Sequence, residues 1–356
     1  MLFSFAIHAS QCTNDVRVRK EVRDMSPEEW ADYKQAVRAM QEDGSFNKQG
    51  AIHLSLFGKV HGGYNFGPWH RAFLCGYEDE VRKHAKNKQL TVPYYAAWED
   101  AYTYGANSID RSPIFSEKYF GAGDGKGCVK SSPDTIFQTN MSPNGGNHCV
   151  LRRYNHDQAI SGRDAIEFLQ KETTDFKDFS DVLQVGYHAE THLFVAGDMS
   201  QHWSANDPIF YSHHAAVDAI YDGYQENHKD FDPASIPGAN DKIFGFEQYT
   251  YGDAHAGNIC CVKYEQYSKK ADGSAIVTNK PANATDLANL GIPQDKVEKQ
   301  DDWNALKENL AKISGIPLIS AMVNKENTGA DKEKPTDSSS ATLLGGFIGL
   351  CVLYFF

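Results

Sequence analysis

Six histidines fall into two groups of three, and this arrangement restricts the fold of the chain. The first group is His53, His61 and His70, and the second is His188, His192 and His214. Three glycines and a proline lie between His61 and His70 and exclude a continuous helix there. The rings of one group can therefore converge only if the chain folds back on itself. This pattern predicts helices packed side by side around shared metal sites.

The second group contains two histidines on one helix face. His188 and His192 stand at i and i+4 in GYHAETHLF, so both rings project from the same side within one turn. A zinc protease motif needs glutamate directly after the first histidine. Here Ala189 follows, and Glu190 points about 200° away from His188 around the helix. The pair is interpreted either as two ligands of one metal or as a chance pair of hydrogen-bonded histidines, and a zinc hydrolase is disfavoured.

The third ligand of the second group comes from the pair His213 and His214. His214 precedes Asp218 by four residues, so we expect the Asp218 carboxylate to accept a ring N–H of His214 and fix its tautomer. His213 has Val217 at the equivalent position and is expected to be a packed neighbour. A solvent-exposed carboxylate is the alternative interpretation of Asp218.

Six imidazoles without cysteine or carboxylate restrict the choice of metal. All-nitrogen sites suit copper, zinc, nickel or iron, whereas thiolates favour zinc or iron–sulfur clusters and carboxylates favour manganese or magnesium. Two three-coordinate sites that face each other leave open positions for O₂, which favours copper. Composition alone leaves zinc open.

Helix signals surround these histidines. Ser26, Pro27 and Glu29 form a capping-box pattern at a helix start. A second helix carries His53, and a third is expected from about Pro68 to His84. The second group lies on two further helical patterns, and the last of them starts with Asp207 as the cap and Pro208 in the first turn. Residues 100–165, rich in Gly, Ser, Asn and Pro, read as long surface loops.

The cysteines indicate an oxidising compartment. There are seven, and without Cys351 in the C-terminal tail six remain, as in a disulfide framework. Cys128 and Cys149 are a candidate pair, and Cys75 inside a helical pattern is a candidate free, buried thiol. A net charge of −12 provides no basic stripe, so no nucleic acid partner is expected.

Both ends of the chain differ from the middle. Residues 1–11 are apolar and short, and read either as a truncated signal segment or as a buried first segment. Residues 266–340 read as a small appended segment and polar linker, with one helical pattern at 301–314. Residues 341–356 form an apolar tail that resembles a GPI-attachment signal, with a tail anchor as the alternative. We therefore expect the secretory pathway and an extracellular or cell-surface location, with membrane attachment through this tail.

Two motifs resemble the tyrosinase, catechol oxidase and molluscan haemocyanin family. HGGYNFGPWHRAFL resembles its first copper motif, and HAETH with NDPIFYSHHAAVD resembles its second. SPEEW near residue 26 and the YTY at residues 249–251 are further similarities, so the resemblance covers roughly residues 12–260, within a domain expected at residues 12–265. It implies a mainly α fold, a four-helix bundle that holds two copper ions, with long loops and little sheet. It implies that the six histidines of the two groups are the copper ligands and that Phe210 packs beside the site.

Three departures from the family pattern bear on activity. Lys59 stands where many relatives carry a cysteine crosslinked to the second histidine, and Ala189 stands where hydroxylating tyrosinases often carry asparagine. Asp181 is the only nearby candidate for the acidic residue that holds a water in relatives. These departures favour oxidation of o-diphenols to o-quinones by O₂ over hydroxylation of monophenols. The alternatives are a reversible dioxygen carrier, a copper-free surface protein and a zinc hydrolase.

Overall fold

Helices dominate the computed structural model, which describes residues 16–122, 128–129, 149–257 and 259–267. The helices are α1 (Pro27–Asp43), α2 (Ser45–Val60), α3 (Phe66–His84), α4 (Ala97–Tyr104), α5 (Arg163–Glu172), α6 (Phe176–Leu183), α7 (Ala189–Val195), α8 (Ile209–Asn227) and α9 (Tyr251–His255). The strands are β1 (Arg17–Arg19), β2 (Lys242–Ile243), β3 (Phe246–Thr250) and β4 (Val262–Tyr264). The expected mainly α fold with little sheet is confirmed.

The start of α1 follows its predicted capping box. The Ser26 side chain accepts a hydrogen bond from the Glu29 backbone N–H, and the Glu29 carboxylate accepts one from the Ser26 N–H. Gly44 ends α1 with φ +81° and directly precedes α2. Glycine adopts this left-handed conformation without steric cost, which permits a sharp turn between the two helices.

Aromatic side chains fill the space between α3 and α8. Tyr77 of α3 stacks on Tyr211 of α8 with ring centroids 3.6 Å apart, and Trp69 stacks on Phe73 at 4.9 Å. Trp69, Phe73, Tyr77 and Tyr211 are fully buried. Large rings bury the most apolar area per residue, so they hold the histidine-bearing helices at a fixed separation. The core of the molecule thus surrounds the predicted metal site.

The region that was expected to form surface loops contributes to the core. Besides α4 and the start of α5, it contains buried Ile109, Ile114 and Phe120. Arg152 is fully buried and donates to the Asp207 carboxylate at 2.7 Å, just before α8. The expectation of long surface loops was wrong here because isolated apolar residues without periodicity carry no clear signal of burial.

The first and last of the described strands, β1 and β4, pair with each other beside α3. β1 and β4 pair in parallel, with Arg17 opposite Val262 and Arg19 opposite Tyr264. Cys75 of α3 forms a disulfide with Cys260, so the expectation of a free thiol was wrong. Helical periodicity placed Cys75 in the core but could not identify a partner 185 residues away.

The other predicted pair, Cys128–Cys149, is confirmed, and Cys261 is also disulfide-bonded. Among the described residues, no helix has the length and apolar character needed to cross a bilayer. The predicted segments at 1–11, the helix at 301–314, the linker up to residue 340 and the apolar tail at 341–356 lie outside the described residues.

Candidate metal centre

The first histidine group comes together at one point. His53 lies inside α2, His61 directly follows its last residue, and His70 lies in the second turn of α3. Their ring centroids are 5.0–5.9 Å apart, and one nitrogen from each ring lies within 4.8 Å of the others. His53 and His70 are buried, and His61 is half-buried. Two helices and a loop thus supply three imidazoles to one position.

The second group gathers four histidines instead of three. His188 ends a π-helical segment, Gln184–His188, His192 lies in α7, and His213 and His214 lie in α8. Nitrogens of His188, His192 and His213 lie within 4.8 Å of one another. The Nε2 atoms of His192 and His214 are 3.3 Å apart. Both members of the pair in α8 are therefore candidates for the third ligand.

The geometry of His214 fits that of a ligand. Two nitrogens that bind one metal tetrahedrally at about 2.0–2.1 Å are about 3.3 Å apart, as are the Nε2 atoms of His192 and His214. His213 instead has its Nε2 3.1 Å from the His188 carbonyl oxygen. Through that hydrogen bond His213 supports the backbone of His188. The 3.3 Å contact with His192 favours His214 as the third ligand, whereas the nitrogens of His213 also lie within 4.8 Å of those of His188 and His192.

The two histidine groups face each other across a short gap. The ring of His214 stacks on that of His70 at 4.3 Å, and His61 lies 6.1 Å from His188. Phe210 closes one side of the gap, with its centroid 4.1 Å from His214 and 4.8 Å from His53. Phe210 therefore touches rings of both groups, in the position beside the site that the resemblance implies.

Backbone carbonyls select which nitrogen of each ring is available. The Nδ1 atoms of His61, His70 and His188 lie 2.8–2.9 Å from the carbonyl oxygens of the residues four positions earlier. The Nδ1 of His192 lies at the Met199 carbonyl. A ring that donates its Nδ1–H keeps the lone pair on Nε2 and has a fixed orientation. Four rings are thus prepared to bind a metal through Nε2.

Burial keeps these rings neutral. Desolvation lowers the pKa of His61 to about 4 and that of His192 to about 3. It also lowers the pKa of His53 and His70 well below the ordinary value, and the neighbouring imidazoles lower it further. The buried Nε2 atoms of His53 and His70 make no hydrogen bond. Neutral imidazoles with available lone pairs are the form that binds a transition metal, so the residues fit a metal pair.

Asp218 does not have the role that its spacing indicated. Its carboxylate accepts hydrogen bonds from Arg71 at 2.7 Å, from Arg19 at 3.1 Å and from the Tyr264 hydroxyl at 2.6 Å. The Nδ1 of His214 has no hydrogen-bond partner. The expected Asp218–His214 bond was wrong because two buried, fully charged guanidinium groups, from α3 and β1, bind this carboxylate instead.

Two other acidic residues are bound by partners other than the histidines. The buried Glu190 carboxylate accepts from the Ser161 backbone N–H at 2.8 Å and from its hydroxyl at 3.0 Å, and burial raises the pKa of Glu190 to about 7. Asp181 forms an ion pair with Lys177 one turn earlier in α6. Glu190 therefore supports the loop before α5 and is not placed as the base of a zinc hydrolase.

Three residues near the centre were missed by sequence reasoning. Arg71 and Arg19 neutralise Asp218, and Gln184 binds the loop beside His61 through its side chain, with its Oε1 2.8 Å from the Gly62 nitrogen. A capping pattern or an i,i+4 spacing predicts only contacts between residues close in the sequence, whereas these hydrogen bonds join residues 122 to 199 positions apart. The position of Arg71 directly after His70 was the only local signal.

Comparison with known proteins identifies the family. A family model described as the common central domain of tyrosinase matches residues 43–227, which is more than half of the chain and includes all six predicted ligands. The chain belongs to the tyrosinase family. Together with the two histidine groups, this membership indicates a coupled binuclear copper site.

The individual relatives are distant. The chain is 25% identical over 253 residues to the tyrosinase-like protein phomQ2 of Diaporthe leptostromiformis, covering 63% of this chain and 62% of that protein. It is 26% identical over 207 residues to a tyrosinase of Gallus gallus, covering 48% and 39%. A latent aurone synthase (polyphenol oxidase) structure has a TM-score of 0.50 at 20% identity, covering 72% and 59%, which bears on the fold alone. The chain spans less than two thirds of each of these relatives.

Proposed function

We propose that this tyrosinase-family protein is a copper-dependent phenol oxidase that uses O₂ to oxidise o-diphenols to o-quinones. The observation that carries the proposal is the pair of buried histidine groups whose rings approach to 4.3 Å at His70 and His214. His53, His61 and His70 would hold one copper ion, and His188, His192 and His214 the other. Copper, when bound, would supply the O₂-binding and electron-accepting centre.

The protein residues contribute orientation and an apolar environment. The backbone carbonyls fix the imidazole tautomers before any metal binds, so little reorganisation is needed on binding. Phe57 stacks on His61 at 4.2 Å, and Phe66 lies 4.7 Å from both His70 and His188. These rings surround the histidines with apolar surface, which favours a flat, apolar phenol as the substrate.

The proposed reaction balances without a further reductant. Each o-diphenol loses two electrons and two protons as its two C–O bonds become carbonyls. Two diphenols therefore reduce one O₂ to two water molecules and leave as two o-quinones. Monophenol hydroxylation needs in addition a group that helps to deprotonate the incoming phenol, and the two candidate positions among the described residues offer little for this. Ala189 has no hydrogen-bonding side chain, and Asp181 is paired with Lys177.

The test is oxygen uptake by the full chain after copper loading, with catechol and tyrosine as substrates. We expect continuous uptake with catechol and slower uptake, after a lag, with tyrosine. Reversible O₂ binding without consumption in the presence of catechol would identify a dioxygen carrier instead. Tyrosine turnover as fast as catechol turnover, without a lag, would contradict the proposed preference. Loading the same chain with zinc is the control, because zinc has no redox chemistry.

We also propose that the protein works in the secretory pathway or at the cell surface. The two disulfides and the bonded Cys261 support this location, because such bonds persist in oxidising compartments. Attachment through residues 341–356, by a GPI or tail anchor, stays a prediction. Release of the protein from intact cells by a GPI-cleaving phospholipase would support the first form of attachment, and retention in the membrane fraction after that treatment would contradict it.

A further inference from the structure

We infer that Gln184 is a positioning residue that fastens the loop after His61 to the segment that carries His188. The Gly62 backbone N–H donates to the Gln184 Oε1 at 2.8 Å. The backbone carbonyl of the same Gln184 accepts from the Nδ1 of His188 at 2.9 Å. One residue therefore contacts a ligand-bearing element of each histidine group. Its role in copper binding rests on the proposed function.

His61 needs such support more than the other ligands of its group. His53 and His70 lie inside helices, but His61 follows the end of α2 with extended backbone angles, φ −104° and ψ 136°. Gly62 and Gly63 come next, with φ of +97° and +63°. Glycine residues have the largest backbone freedom, so a single conformation of this loop must be stabilised from outside.

Packing does not supply that stabilisation at the glycines themselves. A Cβ atom added to Gly62 or Gly63 would have no atom within 4 Å apart from those of its chain neighbours. Hydrogen bonds from one neighbouring segment are instead what holds the loop: Gln184 binds the Gly62 N–H, and the Ser180 hydroxyl donates to the Gly63 carbonyl at 3.0 Å. The Gln184 side chain is 6% exposed, so its bond is largely shielded from competing water.

The backbone at Gln184 is specialised as well. Gln184 begins the π-helical segment Gln184–His188, in which Gly186 departs from helical angles at φ −87° and ψ −115°. The Gln184 carbonyl accepts from the Ala189 backbone N–H in addition to the His188 ring. Single π turns are frequent at functional sites, because an inserted residue redirects the side chains that follow. The side chain and the carbonyl of Gln184 thus act on opposite groups of the centre.

Two substitutions separate the hydrogen bond from the volume of the side chain. Gln184→Met keeps the length and shape of glutamine but removes the acceptor, whereas Gln184→Glu retains an acceptor for the Gly62 N–H. Ser180→Ala is the matched control, because it removes the neighbouring bond to Gly63 and leaves the Gly62 bond intact. The first readout is hydrogen exchange of the Gly62 amide in the metal-free full chain. The second is copper affinity, measured by competition with a chelator.

In Gln184→Met we expect Gly62 exchange about tenfold faster, as loss of one hydrogen bond implies. We expect copper binding about 10–100-fold weaker, as is typical when a group that supports a ligand is lost. Gln184→Glu should restore both, and Ser180→Ala should leave Gly62 protected. Wild-type Gly62 exchange in Gln184→Met, or a Gln184→Glu as defective as Gln184→Met, would overturn the inference. A wild-type chain that binds no copper would overturn the proposed function alone, because the Gly62 exchange rates would still decide the role of Gln184.

Discussion

Replacing Asp218 tests whether this carboxylate supports the fold or a copper ligand. It is 3% exposed and accepts hydrogen bonds from Arg19, Arg71 and Tyr264. Asp218→Ala would remove a negative charge that balances the two positive guanidinium groups in the interior, where Arg19 is fully buried and Arg71 is 2% exposed. Removing one partner of a buried ion pair costs about 3–5 kcal/mol, a large part of a typical total of about 5–15 kcal/mol.

Urea unfolding of the metal-free chain measures this free energy directly. In thermal unfolding, we expect the midpoint of Asp218→Ala to lie about 6–20 °C below that of wild type, since for a domain of this size each kcal/mol of lost stability shifts the midpoint by about 2–4 °C. Tyr264→Phe removes the hydrogen bond to the Asp218 carboxylate together with the one that the hydroxyl accepts from Arg19, and should cost at least about 1.5–3 kcal/mol. Lys171→Ala, which removes an exposed i,i+4 pair with Glu167, is the control and should cost at most about 1 kcal/mol.

The two interpretations of Asp218 predict opposite outcomes. If Asp218 oriented His214, its loss would weaken copper binding about 10–100-fold with little effect on the metal-free protein. The contacts in the structure predict instead that the main effect of the substitution is a large loss of stability in the metal-free chain. A free energy of unfolding for Asp218→Ala within about 1 kcal/mol of wild type would refute this reasoning. Asp218→Asn, which keeps the shape and one acceptor, provides the same comparison if Asp218→Ala fails to fold.

Four further outcomes are expected. In the metal-free chain, the free energy of unfolding should fall as pH drops from about 6.5 towards 4. Histidines take up protons in this range when the chain is unfolded, whereas in the folded chain burial keeps the pKa of His61 at about 4. A urea midpoint that does not change across this pH range would contradict the prediction. His214→Ala should lower the copper content from two ions per chain to one, and His213→Ala should retain two; the opposite result would make His213 the ligand. Cys260→Ser should cost about 2–5 kcal/mol by urea unfolding, and no change would show that the Cys75–Cys260 bond does not tie β4 to α3. Ala189→Asn should raise the ratio of tyrosine to catechol oxidation in oxygen uptake, and an unchanged ratio would remove Ala189 from the argument about substrate.

The helices were predictable because their signals are local. The capping box at Ser26 and Glu29 predicted the start of α1, and the third helix, expected from about Pro68, begins two residues earlier at Phe66. The start of α8 was predicted at Pro208 and lies at Ile209, with the Asp207 carboxylate accepting from the Ile209 N–H. Propensity and capping act over one turn, so they survive in the folded chain with errors of one or two residues.

The contacts that complete the centre were not predictable in the same way. The ion pairs of Asp218 and the bond between Gln184 and Gly62 join residues far apart in the sequence. Their formation depends on how α3, α8 and β1 pack, which a pattern of single residues does not encode. The rule that a carboxylate four residues after a histidine binds its ring failed because a stronger, charged partner was available from another element. Family resemblance supplied the histidine set, but not the network behind it.

X-ray absorption at the copper edge of the loaded full chain would show whether the two histidine groups hold a pair of copper ions. We predict imidazole nitrogens as the only protein ligands around copper, without sulfur, and a second copper at about 3.5–4 Å from the first. That result requires both histidine groups to bind metal and to face each other, as the 4.3 Å contact between His70 and His214 indicates. Sulfur in the copper shell, or a single isolated copper ion in the fully loaded chain, would contradict it.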